Sequence, residues 1–290
     1  MTPATTPATS YVVAIDVGGT GMKGGLVTDD GEIALHRHRP TDRAAPVAGV
    51  RAFAAELAAL GAAHFGHGPR AAGLAVPGLV EDGVARYSAT LGWRDVPAAE
   101  FCDLDVPVAL GHDVHAAGLA EAEHAPERDF LLLPIGTSIA GAMVLRGRPY
   151  ASTLAGQIGH IPVWPDGEAC PCGQRGCLAA YASAGAIAAR YGTPGAAEVA
   201  RAVAAGEPRA GAVWARAVEA LALALATYTL ILDPAAIVIG GGLARSGDLL
   251  LAPLRDRLAA RLAFRDPPAL RASALGTRAG VLGAAMLTRG

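Results

Sequence analysis

Lysine is all but missing from this chain: Lys23 is the single one, and every other residue of the 24 Lys and Arg is arginine. The bias accompanies abundant Ala and Gly and is what a GC-rich coding sequence produces, so it singles out Lys23 without giving it a role. An excess of either charge is missing too. The net charge is −2 and no basic block occurs, which argues against a nucleic-acid-binding surface. Cysteine is scarce, with 4 in 290 residues, and the chain does not space them as a disulfide framework would. No uninterrupted apolar run approaches the roughly 20 residues needed to span a bilayer. The stretch 221–232 is broken by Thr227, Tyr228 and Thr229 and closed by Asp233-Pro234. Residues 1–10 have neither a basic n-region nor an apolar h-region, and read as a frayed tail rather than a secretory signal. A cytoplasmic protein with no membrane and no nucleic-acid partner is expected.

What is present, 290 residues, is enough for one large or two medium domains, and hydrophobic residues at 52% of the chain argue against global disorder. Three of the cysteines, Cys170, Cys172 and Cys177, lie within eight residues of one another, and His160 precedes them by ten. Three thiolates and an imidazole satisfy the four-coordinate preference of a structural zinc ion. A disulfide with two spare thiols, or cysteines that merely pack, is the competing reading.

Taken in order, the chain opens with an apolar run, Tyr11 to Ile15, that ends at Asp16. Gly18, Gly19, Thr20 and Gly21 follow, and two further strands are expected around 24–27 and 33–38. A glycine-rich turn lets backbone N–H groups approach phosphate oxygens. Asp16 could hold Mg²⁺ through water and Thr20 could bond a phosphate, although an ordinary hairpin explains the same residues. The turn leads into a strand rather than a helix, so it is neither a P-loop nor a dinucleotide fingerprint. A helix is expected over 47–64, a buried strand over 71–76 stopping at Pro77-Gly78, loops over 79–104, and a strand over 106–110 that runs into Gly111-His112-Asp113. Asp113 then stands at a strand end and a helix start, where α/β proteins place ligands and where an N-cap would also sit. Strands are expected over 129–135 and 142–145 around Gly136-Thr137-Ser138, repeating the opening pattern. After the cysteine stretch, which is read as a loop, two Ala-rich helices are expected, the second over 210–232. Then come a strand over 235–239 ending in Gly240-Gly241-Gly242, a helix over 248–262, a strand over 269–275 and a closing helix over 278–287.

With those residues in order, the chain resembles the ROK family of sugar kinases, the glucokinase-like branch of the actin-like ATPase fold. Asp16 to Thr20 with Lys23 resembles the family's first phosphate motif, and 135–141 the second. Residues 239–242 resemble its adenosine motif, and 155–160 with 170–177 its zinc signature. The resemblance implies an α/β, ribonuclease H-like two-domain kinase with a cleft between its domains. The smaller domain would be 1–111, with the helix of about 278–290 packed back on it, and the larger 112–277 with a zinc loop at 157–179. It implies ATP with Mg²⁺ as donor, rather than polyphosphate, and a homodimer. Asp113 would be the catalytic base. Gly78, His112, Asp113, Gln157 and His160 would contact the acceptor. Asp16, Gly18, Gly19, Thr20, Lys23, Gly136, Thr137, Ser138, Gly241 and Gly242 would contact the nucleotide and its phosphates. His160, Cys170, Cys172 and Cys177 would hold zinc.

Three positions depart from the family's sugar-reading pattern. His112 replaces the usual Asn, Gln157 a Glu, and Ala179 a second Glu. A site stripped of two acceptors should not favour plain glucose. The expected acceptor is a hexose or a modified one such as an amino sugar, phosphorylated at a primary hydroxyl of 6-OH type. A neutral His112 could accept from an amine, as in a 3-amino-3-deoxyglucose. A cyclitol, plain glucose, and a sugar-binding pseudokinase remain as alternatives. A DNA-binding regulator is disfavoured, since only ten residues precede the first strand.

Overall fold

The computed structural model describes residues 9–150, 152 and 155–289; most of the stretch read as a frayed tail lies outside them. The chain divides into two compact units, residues 1–120 with 278–290, and residues 121–277.

The first unit is built on a five-stranded sheet. Its strands β1 (Tyr11–Val17), β2 (Gly21–Thr28) and β3 (Ile33–Pro40) form an antiparallel meander. After helix α1 (Pro46–Phe65) comes β4 (Ala72–Val76), parallel to β1. Pro46 opens α1, and Gly66, left-handed at φ 77°, closes it. The stretch expected to be loop, 79–104, instead folds into a small antiparallel sheet of β5 (Leu79–Glu81), β6 (Val84–Tyr87) and β7 (Arg94–Pro97), followed by one turn of helix, α2 (Ala98–Phe101). Strand β8 (Val108–His112) completes the main sheet in the order β3-β2-β1-β4-β8 and runs directly into α3 (Asp113–His124).

The second unit repeats this plan. Strands β9 (Phe130–Pro134), β10 (Ala142–Leu145) and β11 (Arg148–Pro149) are antiparallel neighbours. Four helices, not two, follow the cysteine loop: α4 (Ala179–Ala182), α5 (Ala184–Tyr191), α6 (Ala196–Ala204) and α7 (Pro208–Leu232). Ser183 caps α5 by accepting from Ala186 N–H, and left-handed Gly192 ends it, which divides the run that the Ala-rich pattern joins. Strand β12 (Ala236–Gly240), helix α8 (Asp248–Ala259) and strand β13 (Ala269–Ala272) give the order β11-β10-β9-β12-β13, with β9, β12 and β13 parallel. The chain returns to the first unit as α9 (Ala279–Met286), packed on β1 and β4.

Mean hydropathy and length alone would let α1 and α7 cross a membrane, a property that counting uninterrupted apolar residues misses because isolated polar residues do not cancel it. In α7 the apolar face is the core of the second unit: Trp214, Val218, Leu221 and Leu225 are buried. In α1, Val50, Phe53, Ala54 and Leu57 are buried in the core of the first.

Candidate active site and metal centre

In the first unit, three parallel strands deliver their carboxyl ends to one edge of the sheet. Asp16 lies opposite Ala75, and Val76 opposite His112. Asp16, Pro77-Gly78 and Asp113 therefore share that edge, the side on which open α/β sheets bind ligands. The glycine turn after β1 is closed by Gly18 N–H donating to Gly21 O at 3.0 Å. Thr41 fixes it from β3's side: its hydroxyl donates to Gly18 O at 2.6 Å and its N–H to Thr20 O at 3.1 Å. Sequence reasoning missed Thr41, which follows a strand with no motif of its own.

Asp16 is paired with Lys23 at 3.1 Å. On its other side lies Gly280, where a Cβ would come within 2.3 Å of the Asp16 Cγ. The sequence marks Gly280 only as a close-packing glycine; its partner is 264 positions away. At Gly78, φ is 108° and a Cβ would meet Tyr87 O at 2.1 Å, so the fold itself requires that glycine.

Asp113 begins α3, and its Oδ1 accepts from Val114 N–H at 2.8 Å. Burial, and then the like charge of Asp16, push its pKa up to about 7, against the opposing pull of backbone N–H groups and Lys23. A carboxylate so tuned is poised to take a proton near neutral pH. His112 Nε2 stands 3.4 Å from Asp113 Oδ1. Burial and neighbouring His115 push the His112 pKa down to about 4, so its ring is neutral at pH 7. Its Nδ1 is buried without a partner, which leaves Nε2 as the nitrogen on the Asp113 side.

In the second unit, the loops after β9 and β12 are bonded to each other. Ile135 N–H donates to Gly240 O at 3.0 Å and Leu243 N–H to Ile135 O at 3.2 Å. This brings Gly136, Thr137 and Ser138 beside Gly241 and Gly242. The two glycines of the second loop differ. Gly241 has φ 73°, and a Cβ there would meet Ile135 N and O at 2.7 and 2.5 Å, whereas a Cβ on Gly242 or Gly136 would meet nothing within 4 Å. Gly241 is required by the protein's own packing, while Gly136 and Gly242 face open space.

The four expected metal ligands do converge. One ligand atom from each of His160, Cys170, Cys172 and Cys177 lies within 4.8 Å of all the others. Cys170 Sγ is 3.8 Å from His160 Nδ1, and Cys172 Sγ is 3.7 Å from Cys177 Sγ. Zinc–sulfur bonds of ~2.3 Å in a tetrahedron separate two sulfurs by ~3.8 Å. All four cysteines are free thiols, so the disulfide reading fails. Burial and the neighbouring sulfurs push the Cys177 thiol up to about 12, a crowding that a bound cation relieves. Bridges between Pro162 and Cys177 and between Ala169 and Arg175 shape the loop. Behind it the Tyr181 hydroxyl accepts from Glu168 N–H at 2.6 Å, and Arg216 lies over the rings of both Trp164 and Tyr181. Gln157 is exposed and Ala179 half-buried at the start of α4.

The ROK family model matches residues 12–290. The chain belongs to the ROK family. Among its relatives, the glucokinase of Halalkalibacterium halodurans is 31% identical over 315 residues, covering 96% of this chain and 95% of that protein. The kanosamine kinase of Amycolatopsis mediterranei is 33% identical over 256 residues, covering 81% and 82%. The crystal structure of a ROK family glucokinase from Streptomyces griseus, in complex with glucose and AMPPNP, superposes with a TM-score of 0.85 at 25% identity, covering 97% of this chain and all of that one. The two α/β units with their mixed sheets are thus the ROK kinase fold, and the Cys/His cluster of its loop is suited to zinc.

Proposed function

We propose that this ROK protein is an ATP-dependent sugar kinase that transfers the γ-phosphoryl group to a primary hydroxyl of a hexose or an amino hexose. The observation that carries the reading is Asp113, a carboxylate at the sheet's carboxyl edge with its pKa held at about 7. In phosphoryl transfer the protein mainly positions the reactants and offsets charge. Asp113 accepts the proton of the attacking hydroxyl, a contribution typically of ~10²–10⁴-fold. Gly18, Gly19, Thr20, Lys23, Gly136, Thr137, Ser138, Gly241 and Gly242 are the groups we assign to the nucleotide and its phosphates. Asp16 is suited to hold Mg²⁺ through water, and the ion would neutralise charge on the β- and γ-phosphate oxygens. The Cys₃His cluster has no open position, so its zinc would be structural. ATP as donor, a homodimer and a cytoplasmic setting belong to the same reading.

The acceptor is the finer question. Kanosamine, the substrate in one relative's name, is 3-amino-3-deoxyglucose. A neutral His112 beside Asp113 puts no positive charge against an ammonium group, and its ring nitrogen can accept from an amine. Plain glucose is the second reading, favoured by the names of the other two relatives. A panel of glucose, 3-amino-3-deoxyglucose, N-acetylmannosamine and cyclitols with ATP or polyphosphate decides between them. An amino hexose should give the highest kcat/KM; glucose leading by a wide margin sinks the amino-sugar assignment, and no turnover with any acceptor sinks the kinase.

A further inference from the structure

Glu121 is a buried carboxylate that the phosphoryl transfer, as described, does not use. It lies in the third turn of α3, eight residues beyond Asp113 and ~12 Å further along the axis. Its side chain is 0% exposed. Oε1 accepts from Ala274 N–H at 3.1 Å and from Arg271 Nη1 at 3.3 Å, and Oε2 accepts from the Ser273 hydroxyl at 2.7 Å. The anchoring continues outward. Arg271 Nη2 donates to Glu127 Oε2 at 2.9 Å, Ser273 Oγ accepts from Gly276 N–H at 3.0 Å, and Ser273 N–H donates to Ile239 O at 2.8 Å.

An apolar side chain of similar size would fill the same space without the desolvation cost of a buried charge. A buried carboxylate with both oxygens engaged serves geometry better than net stability. The two segments it joins are informative. One is α3, whose first residue is Asp113. The other, 273–276, leads into α9, whose Gly280 is seated against the carboxylate of Asp16. The chain passes between the two units only at 120/121 and 277/278, and Glu121 fastens the two segments that make those passages.

We propose that Glu121 is a positioning residue for phosphoryl transfer: it fixes the far end of the Asp113 helix to the stretch that feeds the Gly280 helix, and so sets where the base stands relative to Asp16. The inference rests on the reading of Asp113 as the base. Ser273 is its accomplice, holding Glu121 through one oxygen while turning the chain toward α9.

The test compares Glu121→Gln and Ser273→Ala with Asp113→Asn, each as the full chain with ATP and its best acceptor. Misplacing a base by a fraction of an ångström slows chemistry more than it weakens binding. We expect kcat to fall about tenfold in Glu121→Gln and about threefold in Ser273→Ala, with both KM values within about twofold of wild type. The acid limb of kcat/KM should also move. The groups facing Asp113 are His112, backed by His115, and the charges of Asp16 and Lys23, and a shift in the Asp16 distance changes the like-charge contribution. A merely structural role lowers Tm and moves neither kcat nor the acid limb; that result in both variants overturns the proposal. Should Glu121→Gln fail to fold, Ser273→Ala decides alone, because it leaves the Arg271 pairs intact. Full turnover by Asp113→Asn brings down the base assignment and this inference with it. An inactive Asp113→Asn beside wild-type behaviour of Glu121→Gln and Ser273→Ala brings down this inference only.

Discussion

Lys23 Nζ lies 3.1 Å from Asp16 Oδ2, and the two residues are directly opposed on adjacent antiparallel strands. The pairing puts the chain's one lysine where two carboxylates repel. Lys23 draws the Asp113 pKa down while Asp16 raises it. In Lys23→Met the pKa of Asp113 should therefore rise further. The acid limb of the kcat/KM profile, placed near pH 7 in the wild type by the Asp113 pKa of about 7, is expected to move to higher pH. A limb that stays put or moves down contradicts the electrostatic role given to Lys23.

Asp113→Asn should lose activity and gain stability in one stroke. Turnover is expected to drop by ~10²–10⁴-fold, with little change in sugar affinity. The stability sign follows from linkage. The folded-state pKa is about 7 against an ordinary 3.8, so between those values the folded chain keeps a proton that the unfolded chain has released. Stability therefore falls as pH rises through that window. In thermal unfolding at about pH 8, the Asp113→Asn variant should have a higher Tm than wild type, with the gap narrowing as the pH drops toward about 4. A lower Tm for the variant at the alkaline end speaks against a strongly raised carboxylate.

Gly241 and Gly242 should respond differently to the same substitution. At Gly241 an alanine meets a left-handed φ of 73° and the backbone of Ile135, so Gly241→Ala is expected to cost ~1–3 kcal/mol or more of stability. Gly242→Ala meets only open space. Its Tm should match wild type while KM for ATP rises several-fold, because the methyl group occupies the place assigned to adenosine. An unchanged ATP KM in Gly242→Ala would falsify that assignment.

The cysteine cluster predicts about one zinc ion per chain on elemental analysis of the purified protein. Cys177→Ser should abolish it and lower Tm. Cys102→Ser should leave the metal content untouched, since Cys102 is buried in the core of the other unit. Metal loss in the Cys102 variant, or retention in the Cys177 variant, points to a different ligand set.

The strands that carry the site are legible because each is a mostly apolar run that ends at turn residues: Gly18-Gly19 after β1, Pro77-Gly78 after β4, and Gly240 to Gly242 at the end of β12. The small sheet β5–β7 escapes the same reading. Its strands are three to four residues long, and Glu81, Arg86, Arg94 and Asp95 break up their apolar residues, so each is too short for a period to declare itself. The strand expected to reach residue 275 stops at Ala272, because Ser273 and Ala274 turn to bond Glu121, a partner more than 150 positions away.

By itself the sequence determined which residues could do chemistry: the two aspartates at strand ends, the glycine turns, and a histidine with three closely spaced cysteines. Those features are local, because turn chemistry and ligand spacing depend on neighbours a few positions off. Tertiary structure alone decided how these residues behave. The pKa of Asp113 depends on burial and on the charges of Asp16 and Lys23; the seat of Asp16 depends on Gly280; the end of α3 depends on Ser273 and Ala274. Electrostatic and packing energies act through space, and the sequence records only order along the chain.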